Sequence, residues 1–400
     1  MGLTAQSTGS GALDEMIEIK KERHDDIIVG LAGNPNTGKS TVFNSLTGLK
    51  QHTGNWPGKT VSNAQGRYIH GDRGYVLVDL PGTYSLLSNS VEEEVARDFI
   101  CFGNPHVTVV VTDATSLQRN LNLVLQILEM TKKAVVCVNL MDEAERKRIK
   151  VDIEELSNIL GVPVVATSAR CGHGLTQLKD AIERVATGDY PLKGYQVKYQ
   201  DKIEESIDFV KTYIDKLNLG DIDSRWAGLR LIEGNEKLMN SIKEYIGFTT
   251  EQERELKKTI DQGREHLHEE QLYGDSLHDS MVSSIVKTAE SIGHKVVYFG
   301  NKEYNKFDHR VDKILTSKTW GIPIMIALLG LILWITIQGA NYPSEVLAKG
   351  LFWIEDHLTN FFMWMGTPQW LHGILVLGVY RTLAWVISVM LPPMAIFFPL

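Results

Sequence analysis

The stretch Ile27-Ile28-Val29-Gly30-Leu31-Ala32-Gly33-Asn34-Pro35-Asn36-Thr37-Gly38-Lys39-Ser40-Thr41 decides the fold. An apolar run with the composition of a buried strand passes into a glycine-rich loop, and the loop opens into a helical pattern. Gly33 to Ser40 fits the phosphate-binding pattern G-x-x-x-x-G-K-S, with a strand before it and a helix after it as the mechanism requires. Glycines let the backbone wrap phosphates, so that amide hydrogens and the helix N-terminus face negative charge. Lys39 is the candidate contact to the β- and γ-phosphates, the Ser40 hydroxyl a ligand for Mg2+, and Thr41 completes the phosphate-side set.

Working outward, further apolar runs at 75–80, 107–112, 134–139 and 162–167 are each followed by a polar loop and a helix-like segment. Such alternation predicts a doubly wound, mostly parallel α/β domain over 27–190. Motifs fall at the ends of successive runs. Asn139-Leu140-Met141-Asp142 follows the fourth, where the Asp142 carboxylate can accept two hydrogen bonds that guanine offers and adenine does not. Ser168-Ala169-Arg170 follows the fifth, placing the Ala169 amide toward the guanine carbonyl oxygen. Many small GTPases carry a lysine after the asparagine to stack on the base; here Leu140 supplies apolar packing, with weaker affinity expected. Asp79-Leu80-Pro81-Gly82 ends the second run, with Asp79 directed to Mg2+ through water and the Gly82 amide to the γ-phosphate. Upstream, 54–60 reads as a mobile glycine-rich loop in which Gly58 approaches the nucleotide and Thr60 offers Mg2+ a second hydroxyl. Catalysis rests on Lys39, Thr60 and Gly82. Thr83 stands where a water-orienting glutamine is usual, so intrinsic hydrolysis is expected to be slow.

The chain has 400 residues, too many for one core, and a net charge of -8 that argues against nucleic acid as a partner. Cys101, Cys137 and Cys171 show no metal-ligand spacing and suit a reducing cytosol. Residues 1–26 lack the features of a secretory signal and read as a flexible tail. Over 195–300 a 3.6-residue period takes over, with Ile203, Ile207, Val210, Ile214 and Leu217 on one face, and breaks at Gly220, 246–248 and 274–275 divide four or five helices. His266 and His268, two apart on a helix, point to different sides and read as a solvated face; His357 and His372 read as interfacial.

A basic segment, 301–319, precedes an apolar run that predicts a membrane span at about 320–339, with the soluble part on the cytoplasmic side. Residues 347–365 mix aromatic and charged groups and read as a surface helix. A second span is expected over 371–400, interrupted by Arg381 and broken at Pro392-Pro393. Arg381 must face a polar cavity, a partner or the interface. The chain stops inside hydrophobic sequence, which reads as a fragment or one half of a split protein.

Gly-Asn-Pro-Asn-Thr-Gly-Lys-Ser at 33–40, Gly-Asn-Trp-Pro-Gly-Lys-Thr at 54–60, Asp-Leu-Pro-Gly-Thr-Tyr-Ser at 79–85 and Asn-Leu-Met-Asp at 139–142 together resemble the FeoB family, bacterial ferrous iron transport protein B. The segment 308–315 before the membrane sequence is similar to the same family's plan. The resemblance implies a P-loop GTPase domain, a GDI-like helical spacer and transmembrane helices in a multi-pass protein of the bacterial cytoplasmic membrane. It further implies GTP and GDP as ligands, Mg2+ and K+ as cofactors, Fe2+ as transported substrate, the lipid bilayer, homo-oligomer formation, and small accessory Feo-type proteins as partners. By analogy with potassium-stimulated GTPases, Asn36 would ligate K+ in place of an arginine finger, beneath the 54–60 loop. The family's cysteine-containing membrane motifs do not occur before Leu400, so no iron ligand carries over. The alternative is a membrane-anchored regulatory GTPase acting on a separate partner.

Overall fold

The computed structural model describes residues 23, 25–48, 51–56, 62–87, 90–217, 222–234, 236–247, 249–268, 272–300, 315, 317 and 321–398. They form two compact units, Met1–Gly300 and Asn301–Leu400.

In the first unit β1 (Ile27–Gly33) is buried along its length and paired in parallel on both sides, to β4 (Arg73–Asp79) and β5 (Val107–Asp113). The parallel set continues through β6 (Ala134–Asn139) and β8 (Val164–Ala166), as the apolar runs predict. Alternation along each strand feeds two cores. Val29, Leu31, Leu77, Val109, Val111 and Val135 face Phe43 of α1 (Lys39–Thr47) and Leu178 and Ile182 of α6 (Leu175–Ala186). Ile28, Val76, Val78, Val110 and Val136 face Phe99 of α2 (Val91–Phe102) and Leu121 and Val124 of α3 (Leu117–Met130). A Cβ on Gly30 would lie 2.9 Å from the Phe99 ring, so glycine there lets α2 sit directly on β1.

Two strands of this sheet were not legible. β2 (Gln51–Asn55) and β3 (Ser62–His70) form an antiparallel hairpin on the edge of β4, completing the order β2-β3-β4-β1-β5-β6-β8. Their sequence is polar and lacks apolar alternation. Gly54 and Asn55, expected in a mobile loop, are instead paired with Asn63 and Ser62. Trp56 follows as a buried anchor, edge-on to Phe99 at 5.7 Å. Asp26, expected in the tail, is also buried and takes two hydrogen bonds from the Arg67 guanidinium at 3.1 Å each. The rest of the tail lies outside the described residues except 23 and 25.

Between α4 (Met141–Arg146) and α5 (Ile153–Leu160) a short strand β7 (Ile149–Val151) pairs with β9 (Val297–Phe299). Three-residue strands carry no readable period. The helical part comprises α7 (Asp201–Leu217), α8 (Ser224–Glu233), α9 (Glu236–Ile246), α10 (Thr250–His268) and α11 (Asp275–Val296). Ile203, Ile207, Val210 and Ile214 are buried as the period predicts. Gly234, at φ 98°, adds a break between α8 and α9 that the sequence reading did not place.

In the second unit α12 (Gly321–Trp364) and α13 (Gln369–Phe397) are both long and apolar enough to cross a membrane. The expected division of 320–339 from a surface helix at 347–365 is not seen: α12 runs through both, with Pro343 inside it. A single proline removes one hydrogen bond and can kink a helix without ending it. The expected break at Pro392-Pro393 is likewise absent, since helix continues to Phe397; prolines are tolerated in apolar helices when local adjustment satisfies the freed groups. Residues 301–319 lie outside the described residues except 315 and 317.

The α/β and helical parts of the first unit meet at a buried charge. Glu129 near the end of α3 accepts from Tyr199 Oη at 2.9 Å and from Arg225 Nη1 at 3.3 Å, while Arg225 Nη2 reaches Glu204 at 2.7 Å and the Val197 carbonyl at 2.8 Å. Burial pushes the Glu129 carboxyl above its ordinary range, against the opposing pull of Arg230, Tyr199 and Arg225. Replacing Arg225 by alanine strips two carboxylates of a shared counter-ion. The expected cost is about 3–5 kcal/mol, seen as a lower urea midpoint; a midpoint equal to the parent's would show that the pair holds nothing together.

Candidate functional site

The motifs beginning at Gly33, Asp79, Asn139 and Ser168 sit at the C-terminal ends of parallel strands, so the fold gathers them at one edge of the sheet. β1 delivers Gly33, where a Cβ would lie 2.6 Å from the Val111 carbonyl oxygen. The chain then turns through Asn34, Pro35, Asn36 and Thr37 to Gly38. Asn36 (φ 66°) and Gly38 (φ 79°) are left-handed, a conformation that asparagine and glycine adopt most readily. Gly38 is also the N-cap of α1 and supplies no side-chain cap, leaving the first-turn amides and the positive end of the helix for an anion. Thr37 Oγ1 donates to the Asn34 carbonyl at 2.9 Å and stiffens the turn. Asn36, Ser40 and Thr41 are exposed at its mouth. This cradle fits a phosphate.

Lys39 donates to the Asp79 carboxylate and, at 2.7 Å, to the Leu80 carbonyl. The groups assigned to phosphate and to Mg2+ thus lie within reach of one another, joining the loop to the end of β4. Burial pushes the Asp79 carboxyl up, and Lys39 opposes the shift. A Cβ on Gly82 would lie 3.6 Å from Pro35, so this turn packs on the phosphate loop. Thr83 beyond it is buried. Ser85 Oγ and the Leu86 amide both donate to Gln126 of α3, at 3.1 and 2.6 Å, a tether that no motif announced. Gly58 and Thr60 lie outside the described residues.

On the base side Asn139 is 1% exposed. Its Nδ2 donates to the Thr37 carbonyl at 3.0 Å, and its Oδ1 accepts from Thr167 Oγ1 and the Ala169 amide, each at 3.1 Å. The Ala169 amide is thus held on the Asn139 carboxamide oxygen. Thr167 joins the constellation without a sequence signal of its own. Leu140, left-handed at φ 62°, begins α4 and brings its side chain beside Gly38, 3.9 Å from the position a Cβ would take there. The Asp142 amide donates to Ser168 Oγ at 3.1 Å, and its half-exposed carboxylate accepts from Arg146 Nη2 at 3.2 Å.

Comparison with known proteins agrees with this geometry. The family described as ferrous iron transport protein B matches residues 27–182, and the FeoB cytosolic helical domain matches 199–298. The Fe(2+) transporters FeoB of Salmonella typhimurium and Escherichia coli K12 are each 32% identical over 88% of this chain. The chain spans 44% of the length of each. The cytosolic domain of the T. maritima FeoB iron transporter in a GDP form is 30% identical, at a TM-score of 0.55 over 68% of this chain and 98% of its own. A point mutant of S. thermophilus NFeoB bound to GDP is 27% identical, with a TM-score of 0.56 over the same share of this chain and all of its own. With the phosphate loop, the base-side asparagine and the helical segment all matched in order, the chain belongs to the FeoB family.

Proposed function

We propose that this chain binds GTP, hydrolyses it slowly, and couples its nucleotide state to Fe2+ uptake across a bacterial cytoplasmic membrane. Residues 27–190 and 195–300 lie on the cytoplasmic side in this reading, and 320–400 lie in the bilayer. The observation that carries the GTPase reading is Asn139, which holds the phosphate loop and the base-side loop together from one buried position. Relatives named as Fe(2+) transporters support the transport reading.

In this mechanism Gly33, Asn34, Thr37 and Gly38 wrap the phosphates with backbone amides, Pro35 shapes the turn between them, and Lys39 moves from Asp79 to the β- and γ-phosphates. Ser40 and Thr60 offer hydroxyls to Mg2+, Asp79 acts through water, and Gly58 and Gly82 border the γ-phosphate. Mg2+ and K+, when bound, supply positive charge where negative charge develops. Asn36, left-handed and exposed at the loop, offers its carboxamide oxygen to K+. Asp142 accepts from the guanine edge, Ser168 holds the Asp142 backbone, and Ala169 presents its amide to the base once Asn139 yields it. With buried Thr83 after Gly82, no side-chain amide orients water from that position.

Three outcomes test this reading. Asp142→Asn should weaken GTP binding at least tenfold and shift preference toward xanthine nucleotides; an unchanged guanine preference would remove Asp142 as base reader. GTP hydrolysis should be faster in K+ than in Na+, and Asn36→Ala should abolish that difference. A rate indifferent to the cation would leave the nucleotide site standing and remove the K+ role. Iron uptake by cells depending on this chain should be lost with Lys39→Ala; uptake that persists would favour a regulatory GTPase without a part in transport.

A further inference from the structure

The turn that follows Gly82 is held from outside by a single side-chain oxygen. Gln126 of α3 is 5% exposed, and its Oε1 accepts from Ser85 Oγ at 3.1 Å and from the Leu86 amide at 2.6 Å. The Leu87 amide donates in turn to Ser85 Oγ at 3.1 Å, so three consecutive residues depend on that oxygen. A carboxamide suits this position: its oxygen has two lone pairs for two donors, and being neutral it is buried without a counter-ion. Seven residues earlier on the same helix face, Arg119 holds its guanidinium 5.0 Å from the centre of the Tyr84 ring. Helix α3 therefore grips the turn at two neighbouring points.

What this grip does is set by the other end of the turn. Gly82 packs on the phosphate loop, its Cβ position 3.6 Å from Pro35, and Lys39 donates to the Leu80 carbonyl at 2.7 Å. The Leu80 amide is fixed as well, donating to the Leu31 carbonyl of β1 at 3.0 Å. Residues 82–86 thus bridge two fixed points, the end of β4 and the side of α3. In the GTPase reading the Gly82 amide meets the γ-phosphate, while buried Thr83 leaves no side-chain amide to orient water. The placement of the backbone then carries that part of the chemistry, and a misplacement of about 1 Å can cost on the order of a hundredfold in rate. GDP has no γ-phosphate and is indifferent to this placement.

We propose that Gln126 is a positioning residue for GTP hydrolysis: its carboxamide oxygen fixes Ser85 and Leu86 so that the Gly82 amide is presented to the γ-phosphate. Gln126 acts through the turn and not on the nucleotide itself. The assignment rests on the reading of this chain as a GTPase.

The test is steady-state GTP hydrolysis by the full chain in lipid nanodiscs with Mg2+ and K+, alongside binding of GDP carrying a fluorescent N-methylanthraniloyl group. Gln126→Met keeps the length and bulk of the side chain and removes the acceptor. Its kcat should fall about tenfold or more, while KM for GTP and the affinity for GDP stay within about threefold of the parent's. Ser85→Ala removes one of the two donors and should give a smaller fall. Added to Gln126→Met it should cost nothing further, because both changes act through one contact. A parent-like kcat in Gln126→Met would overturn the proposal, as would single losses that multiply in the double variant. Loss of kcat together with GDP affinity would also overturn it, marking Gln126 as a packing residue only. A parent chain that hydrolyses no GTP would sink the GTPase reading itself, and this assignment with it.

Discussion

One buried carboxamide governs the nucleotide end of this protein. Asn139 has a donor and an acceptor side, and both are spent on other loops: the donor on the Thr37 carbonyl, the acceptor on Thr167 and Ala169. At 1% exposure, any of these bonds left unmade would cost the desolvation of a buried polar group. The loops are therefore positioned relative to one another before any ligand arrives. Aspartate would lose the donor to Thr37, and leucine would lose both sides. The closeness is steric as well, because any side chain at Gly38 would run into the Asn139 amide.

How much of this was legible depends on how local the signal is. The parallel strands announced themselves because, buried on both faces, they are continuous apolar runs. The phosphate loop was legible because its glycine, lysine and serine positions answer to a backbone path that few sequences can follow. The edge hairpin was not, since His52, Thr53 and Gly54 carry no alternation and owe their strand geometry to pairing with β3. Trp56 was taken into a mobile loop because nothing in its neighbours shows that Phe99, far along the chain, lies beneath it. Thr167 and Gln126 could not be found at all from spacing, as each acts through a contact that only the folded chain creates. In the membrane unit the charge was legible and its partner was not: Arg381 demanded compensation, but the sequence did not single out Glu355, which Arg381 Nη2 meets at 2.7 Å.

Helix α3 shows how the two soluble parts share one core. Leu121, Leu123, Val124, Leu125, Ile127 and Leu128 are all buried, which a helix covered on one side only would not require. One side lies on the sheet, and the other joins the cluster that holds Ile207, Val210 and Leu229 of the helical segment. Gln126 and Glu129 sit one turn apart on this helix. The first is tied to the turn after Gly82 and the second to Arg225 and Tyr199. A shift of α3 as a rigid body would therefore be felt at both ends of the soluble unit.

The uninterrupted course of α12 has a consequence for lipid. At 1.5 Å per residue its 44 residues measure about 66 Å, against a hydrocarbon thickness of roughly 30 Å. No upright placement hides such a rod in acyl chains, and tilting it far enough to do so would exceed the range over which spanning helices lean. The stretch without charges, 321–344, must compete for the hydrocarbon with the charge-bearing half that holds Glu345, Lys349 and Glu355. The helix thus acts as a ruler longer than the slab it measures, and membrane thickness becomes a variable that sets which of its turns are wet.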